Sequence, residues 1–189
     1  MKKELSKRDH ILREKVLKEL NEDLHSAEKI DKSLDCNIEK ELLQVLLEKD
    51  DGRRELASRA IRKLAMTAKG TERLIQTKAV TQITKLFDDP LVQIRFNAYQ
   101  CLLHLAQFRY GNDMVVQFAV LPLLVDKLMF EKNDDVLVLV LTLLRSLQNS
   151  DNSSPILLKT QVLSRLNKHL SSKNALVILF LRVFFIFED

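Results

Sequence analysis

The chain has 189 residues, 46% of them apolar and 30% charged, with a formal net charge of +4; this balance supports a continuous core with solvated flanks and excludes wholesale disorder. Basic and acidic residues are spread evenly, which argues against nucleic acid as a partner. Three glycines, three prolines and two cysteines form neither a phosphate-cradling loop nor a zinc cluster, and point to a helical chain in a reducing compartment.

The opening Met1-Lys2-Lys3-Glu4-Leu5 is charged, unlike a secretory leader. From residue 4 to residue 30, Leu12, Val16, Leu20 and Leu24 recur every fourth position among Lys, Arg, Glu and Asp, predicting one amphipathic helix. Residues 26–37 are polar and read as a connection, with Asp35 or Asn37 able to cap the next helix, so that residues 1–37 form a charged N-terminal helix and its linker. Helical units begin at residue 38 and divide as 38–69, 70–110, 111–150 and 151–189, each with an optional short first helix, a middle helix and a longer third helix. In the clearest unit Gly70 ends one helix, 71–77 and 79–87 form the first and middle helices, and Asp88-Asp89-Pro90 turns into a third helix reaching Phe108. Gly111 plays the part of Gly70 in the next unit, and Asn133-Asp134-Asp135 supplies the capping oxygens of the third helix. The apolar run 175–187 is shorter than the ~20 residues of a spanning helix and reads as the terminal helix of the array.

The units repeat. Leu42, Val45, Ala57, Ile61, Leu64, Ala65 and Gly70 map at an offset of 41 onto Ile83, Leu86, Ala98, Leu102, Leu105, Ala106 and Gly111. A helical period of ~40–47 residues is that of armadillo and HEAT arrays, so the expected fold is an all-α, armadillo/HEAT-like right-handed α-solenoid of about four repeats. The third helices form its spine, where Ala57, Ala65, Ala98 and Ala106 permit close approach and Gln100 faces solvent.

No chemistry stands out. His10, His25, His104 and His169 lack a second ligand at helical spacing, no nucleophile motif is present, and Asp88 and Asp89 read as a helix start. The chain is therefore expected to be a non-enzyme with no cofactor, no metal and no small-molecule substrate. Three surfaces are candidates for binding protein. Arg53, Arg54, Arg59, Arg62, Lys63 and Lys69 form a basic patch opposed within the segment by Glu55, with Arg59, Arg62 and Lys63 on one face, suited to an acidic partner. Lys63, His104 and Ser146 stand where peptide-clamping armadillo proteins carry a ladder of Asn, so that ladder and its Trp neighbours are missing here. Phe184, Phe185 and Phe187 leave the terminal helix apolar on several sides, as for a further contact.

The string Leu86-Phe87-Asp88-Asp89-Pro90, followed by Arg95, Asn97-Ala98, Leu105-Ala106-Gln107, Gln117 and Lys127-Leu128, closely resembles the armadillo-repeat subunit of the ciliary radial spoke, the radial spoke head fourteen homologues. The similarity is clearest from residue 60 to residue 173 and reaches back to the segment from Val16 to Asn21. The resemblance implies a structural adaptor among radial spoke or other axonemal subunits, in the cytoskeleton of the cilium or flagellum. An armadillo adaptor of the cytosol or nucleus that binds linear peptides is the alternative.

Overall fold

The computed structural model describes residues 2–148. Its helices are α1 (Lys2–Asp23), α2 (Ala27–Asp35), α3 (Ile38–Val45), α4 (Asp51–Leu64), α5 (Ala68–Gln76), α6 (Ala79–Lys85), α7 (Val92–Ala106), α8 (Arg109–Gln117), α9 (Val120–Phe130) and α10 (Asp134–Leu147); α6 runs on into a 3-10 turn, Leu86–Asp88. Among the described residues there is no strand, and no helix is long and apolar enough to cross a membrane. Three triplets, α2–α4, α5–α7 and α8–α10, begin at Ala27, Ala68 and Arg109, each 41 residues after the last. They stack as a right-handed armadillo-like solenoid.

The spine is the row α1, α4, α7, α10, each helix packed on the next, while the first helices α2, α5 and α8 make a second row. Equivalent spine positions are occupied by Ala57, Ala98 and Val140, by Ile61, Leu102 and Leu144, and by Leu64, Leu105 and Leu147, all buried. Burying each large apolar side chain contributes about 1.5–3 kcal/mol, so neighbouring repeats hold each other and no repeat stands alone.

The N-terminal region differs from the sequence expectation. In place of one helix to residue 30 and an irregular linker, α1 stops at Asp23 and α2 starts at Ala27, capped by Ser26, whose hydroxyl accepts the Lys29 amide at 3.3 Å. Ile30 and Leu34 on α2 are buried, so the segment from Ser26 to Asn37 is the first helix of a triplet and its joint. Capping chemistry and two apolar residues outweigh the polar composition. α1 accordingly takes the place of a third helix at the head of the spine.

Gly70 does not end a helix. It lies within α5, whose start is capped by the Thr67 hydroxyl accepting the Gly70 amide at 3.0 Å. A Cβ on Gly70 would stand 1.8 Å from the Leu64 carbonyl oxygen, and one on Gly111 would stand 2.1 Å from that of Leu105. Each glycine lets a first helix seat its backbone on the end of the preceding third helix, a contact that no side chain permits. Between first and middle helices, Asn37, Lys78 and Ala119 adopt left-handed φ of 55°, 56° and 56°, again 41 residues apart. Only the first is a residue type at ease there. Asn37 makes no side-chain cap of α3, whereas Asn133 accepts the Val136 amide at 3.0 Å and caps α10. Pro90 precedes α7 by two residues, and the Asp89 carboxylate accepts the Leu91 amide at 3.0 Å.

Candidate binding face on the third helices

Two groups of cations sit on the spine, and the structure treats them differently. The first forms a ladder at the edge of the stack. Arg54 on α4 reaches the carboxylate of Asp89 at the joint before α7, Nε to Oδ2 3.0 Å. One repeat on, Arg95 on α7 grips Glu131 at the joint before α10 with two bonds of 2.9 Å. One repeat earlier, Arg13 on α1 lies 3.8 Å from Glu48 at the joint before α4. In the two inner rungs the carboxylate side chain is 6% exposed, so these are buried, charge-assisted contacts. The side of Glu131 is chemically explicit: burial works against its charge, but hydrogen bonds from Arg95 and from the Asn133 and Lys132 amides outweigh that and hold its carboxyl below the ordinary value.

Sequence reasoning missed this ladder, although arginines at 13, 54 and 95 facing acids at 48, 89 and 131 show a spacing of 35 or 36 that a repeat-aware reading can find. It also reassigns part of the basic patch. Arg54 is held by Asp89 and, at 2.8 Å, by Asp51; Arg53 is held by Glu48 at 2.8 Å; Lys69 meets Asp35 at 2.6 Å. Within 53–69 Glu55 is the one acid; the others come from the start of α4 (Asp51), from the joints before α4 and α7 (Glu48 and Asp89) and from α2 (Asp35).

The second group occupies the later turns of α4 and the facing turns of α7. Arg59 bonds Glu55 at 2.8 Å within α4. The guanidinium of Arg62 donates to the side-chain oxygen of Gln100 on α7 at 2.5 Å, so Gln100 is half-buried rather than free in solvent. Lys63 donates to the backbone carbonyl of Asn21 on α1. Asn21 in turn bonds the Leu17 and Leu56 carbonyls at 2.9 Å, and Asn97 on α7 bonds Ser58 on α4 at 3.0 Å. These polar ties set the relative register of three successive spine helices.

Burial, then Arg59, lowers the pKa of Arg62 against smaller opposing pulls from Cys101 and Glu55; burial, then Arg62 and Arg59, lowers that of Lys63. His104, half-buried one repeat after Lys63, is lowered by burial and by Arg62, which favours its neutral form. Ser146, the next position in the row, is half-buried, and its backbone carbonyl accepts from Asn112 at 2.8 Å. Lys63, His104 and Ser146 thus lie on α4, α7 and α10 in one register, with Arg59 and Arg62 beside the first. Phe184, Phe185 and Phe187 lie outside the described residues.

Among the described residues no group of three or more His, Cys, Asp or Glu side chains is placed to hold a metal. Cys101 is buried on α7, and desolvation pushes its thiol up to about 12, which leaves it unreactive as a nucleophile at neutral pH.

No protein-family model and no curated protein matches the chain. Solved structures do. An engineered protein superposes with a TM-score of 0.76 at 18% identity, over 87% of this chain and 68% of its own. A designed armadillo-repeat protein in complex with the peptide (KR)4 gives 0.76 at 20% identity, over 87% and 70%. Computationally designed armadillo-repeat proteins for modular peptide recognition give 0.76 at 21% identity with the same coverage. At these identities the likeness concerns architecture, and it establishes that the chain has the armadillo-repeat fold.

Proposed function

We propose that the chain is a non-catalytic docking scaffold that takes an acidic protein surface on the face made by Arg59, Arg62, Lys63 and His104, and that it serves in the radial spoke of the motile ciliary and flagellar axoneme. The observation that carries the docking reading is the crowding of like charge. The charges acting on Lys63 are those of Arg62 and Arg59, and the acceptors met by Arg62 and Lys63 are neutral. A carboxylate-rich partner relieves that repulsion on arrival and steers itself by the same field. The stacked repeats supply a stiff platform for it. The cellular setting is supported by the resemblance of Leu86-Phe87-Asp88-Asp89-Pro90 and the residues after it to the armadillo subunit of the spoke.

Peptide recognition is a second reading, favoured by the designed neighbours that were built for it. The peptide (KR)4 has the same sign as Arg59, Arg62 and Lys63, so an extended ligand at this face must be acidic instead. Arg62→Glu combined with Lys63→Gln tests the docking reading. Retention of axonemal proteins by the variant is expected to fall while its melting temperature stays within a few degrees; undiminished retention overturns it. Proximity labelling in ciliated cells tests the setting: spoke subunits are the expected neighbours, and nuclear-transport cargo in their place overturns it.

A further inference from the structure

Among the described lysines, Lys63 stands apart in what holds its side chain. Lys29, Lys32 and Lys69 meet the carboxylates of Asp23, Glu28 and Asp35 at 2.6, 2.7 and 2.6 Å, and Lys127 meets that of Asp88. In those pairs the charge is matched. Lys40, Lys49 and Lys85 are exposed to solvent. Lys63 is half-buried, donates to the backbone carbonyl of Asn21 on α1, and has Arg62 and Arg59 as the charges acting on it. The acid of the segment, Glu55, is engaged with Arg59 at 2.8 and 3.0 Å. Burial and two like charges favour the neutral amine, while the carbonyl fixes where its nitrogen sits. An amine so placed is a nucleophile at a pH where an ordinary lysine is almost wholly protonated.

The two arginines also select the electrophile. Arg59 uses Nε and Nη2 on Glu55, and Arg62 uses Nη1 on Gln100, which leaves Nη1 of the first and Nη2 of the second for an anion. A reagent that joins an activated carbonyl to a phosphate suits both features. Its phosphate is drawn to the guanidinium groups, and its carbonyl arrives beside the amine.

We infer that Lys63 is an acylation site that takes its acyl group from a small acyl phosphate held by Arg59 and Arg62. The neutral Nζ attacks the acyl carbon, the bond from that carbon to the phosphate oxygen breaks, inorganic phosphate leaves, and the proton released by the nitrogen passes to solvent. The amide that forms keeps one N–H for the Asn21 carbonyl and carries no charge, so the face loses a cation. The inference rests on the contacts of Lys63 and is independent of any protein partner.

Incubation of the full chain with acetyl phosphate at neutral pH, with peptide mass spectrometry of each lysine at early times, tests it. Lys63 should be acetylated severalfold faster than Lys40, Lys49 and Lys85, and denaturant should abolish the preference. Arg62→Gln removes a repelling charge and a phosphate contact together, and should slow acetylation of Lys63 about tenfold while leaving Lys40 unchanged. Should that variant not fold, Arg59→Gln is read in its place. A neutral active ester should favour Lys63 less than acetyl phosphate does. Labelling of Lys63 no faster than that of the exposed lysines, a preference that survives unfolding, or a rate untouched by loss of the arginine overturns the inference; equal preference with the neutral ester overturns the part given to an anionic donor.

Discussion

The two ends of α4 carry the same kind of charge to opposite effect. Arg53 and Arg54, at its start, are clasped by Glu48, Asp51 and Asp89. Arg62 and Lys63, two to three turns later, face a side-chain amide and a backbone carbonyl, and both have pKa values lowered first by burial and then by neighbouring arginines. The first pair ties one repeat to the next. The second holds its charge against neutral acceptors. In this solenoid a basic residue is paired with a carboxylate or left facing neutral groups according to what the next repeat presents about 35 positions away, and composition of the segment is silent on that.

The comparison breaks most visibly at the paired end. Arg95→Ala leaves the Glu131 carboxylate buried without its guanidinium, and a loss of about 3 kcal/mol is expected, measured by chemical denaturation; a loss as small as that of a surface substitution would remove the ladder from the account of stability. Arg95→Lys should recover only part of it, because an ammonium cannot make the two parallel bonds.

Acid sharpens the contrast next. A carboxyl lowered on folding contributes stability that is complete above its ordinary value of about 4.5 and is lost as pH falls through the folded value. Melting temperature should thus drop more steeply below pH 4.5 in the native chain than in Glu131→Gln, whose profile lacks that titration. Parallel profiles would show that Glu131 is not a source of acid sensitivity.

A backbone control comes third. Ala119→Gly relieves a left-handed residue at φ 56° and should stabilise by about 0.5–1 kcal/mol, with no change in any binding to the cationic face. Smallest is the effect at the crowded end. Lys63→Met removes one of the repelling cations together with its bond to the Asn21 carbonyl, and the opposing terms should leave stability within about 0.5 kcal/mol of the native chain. A loss comparable to that of Arg95→Ala would place Lys63 among the structural charges.

Much of the spine was legible from periodicity. The 41-residue offset that aligns Ala57 with Ala98 and Ile61 with Leu102 depends on apolar size and spacing, and the core obeys it because equivalent positions meet equivalent neighbours in every repeat. α2 was missed because its sequence is mostly polar, and the two residues that matter, Ile30 and Leu34, acquire their burial from the stack. Gly70 was misplaced for a related reason. Its backbone approach to Leu64 belongs to the contact between two helices, and a glycine seen alone reads as a helix end.

Placing Lys63, His104 and Ser146 on one row needed only the repeat arithmetic, since a common register puts equivalent residues on equivalent helices. Whether the cations beside that row are paired was decided elsewhere. The order of residues by itself determined an all-helical array, its period and its apolar spine, because those arise from local helix geometry and hydrophobic spacing. The tertiary structure alone settled which arginines are locked to carboxylates and which crowd one another, because an ion pair forms only where the stacking of repeats brings distant side chains within a few ångströms.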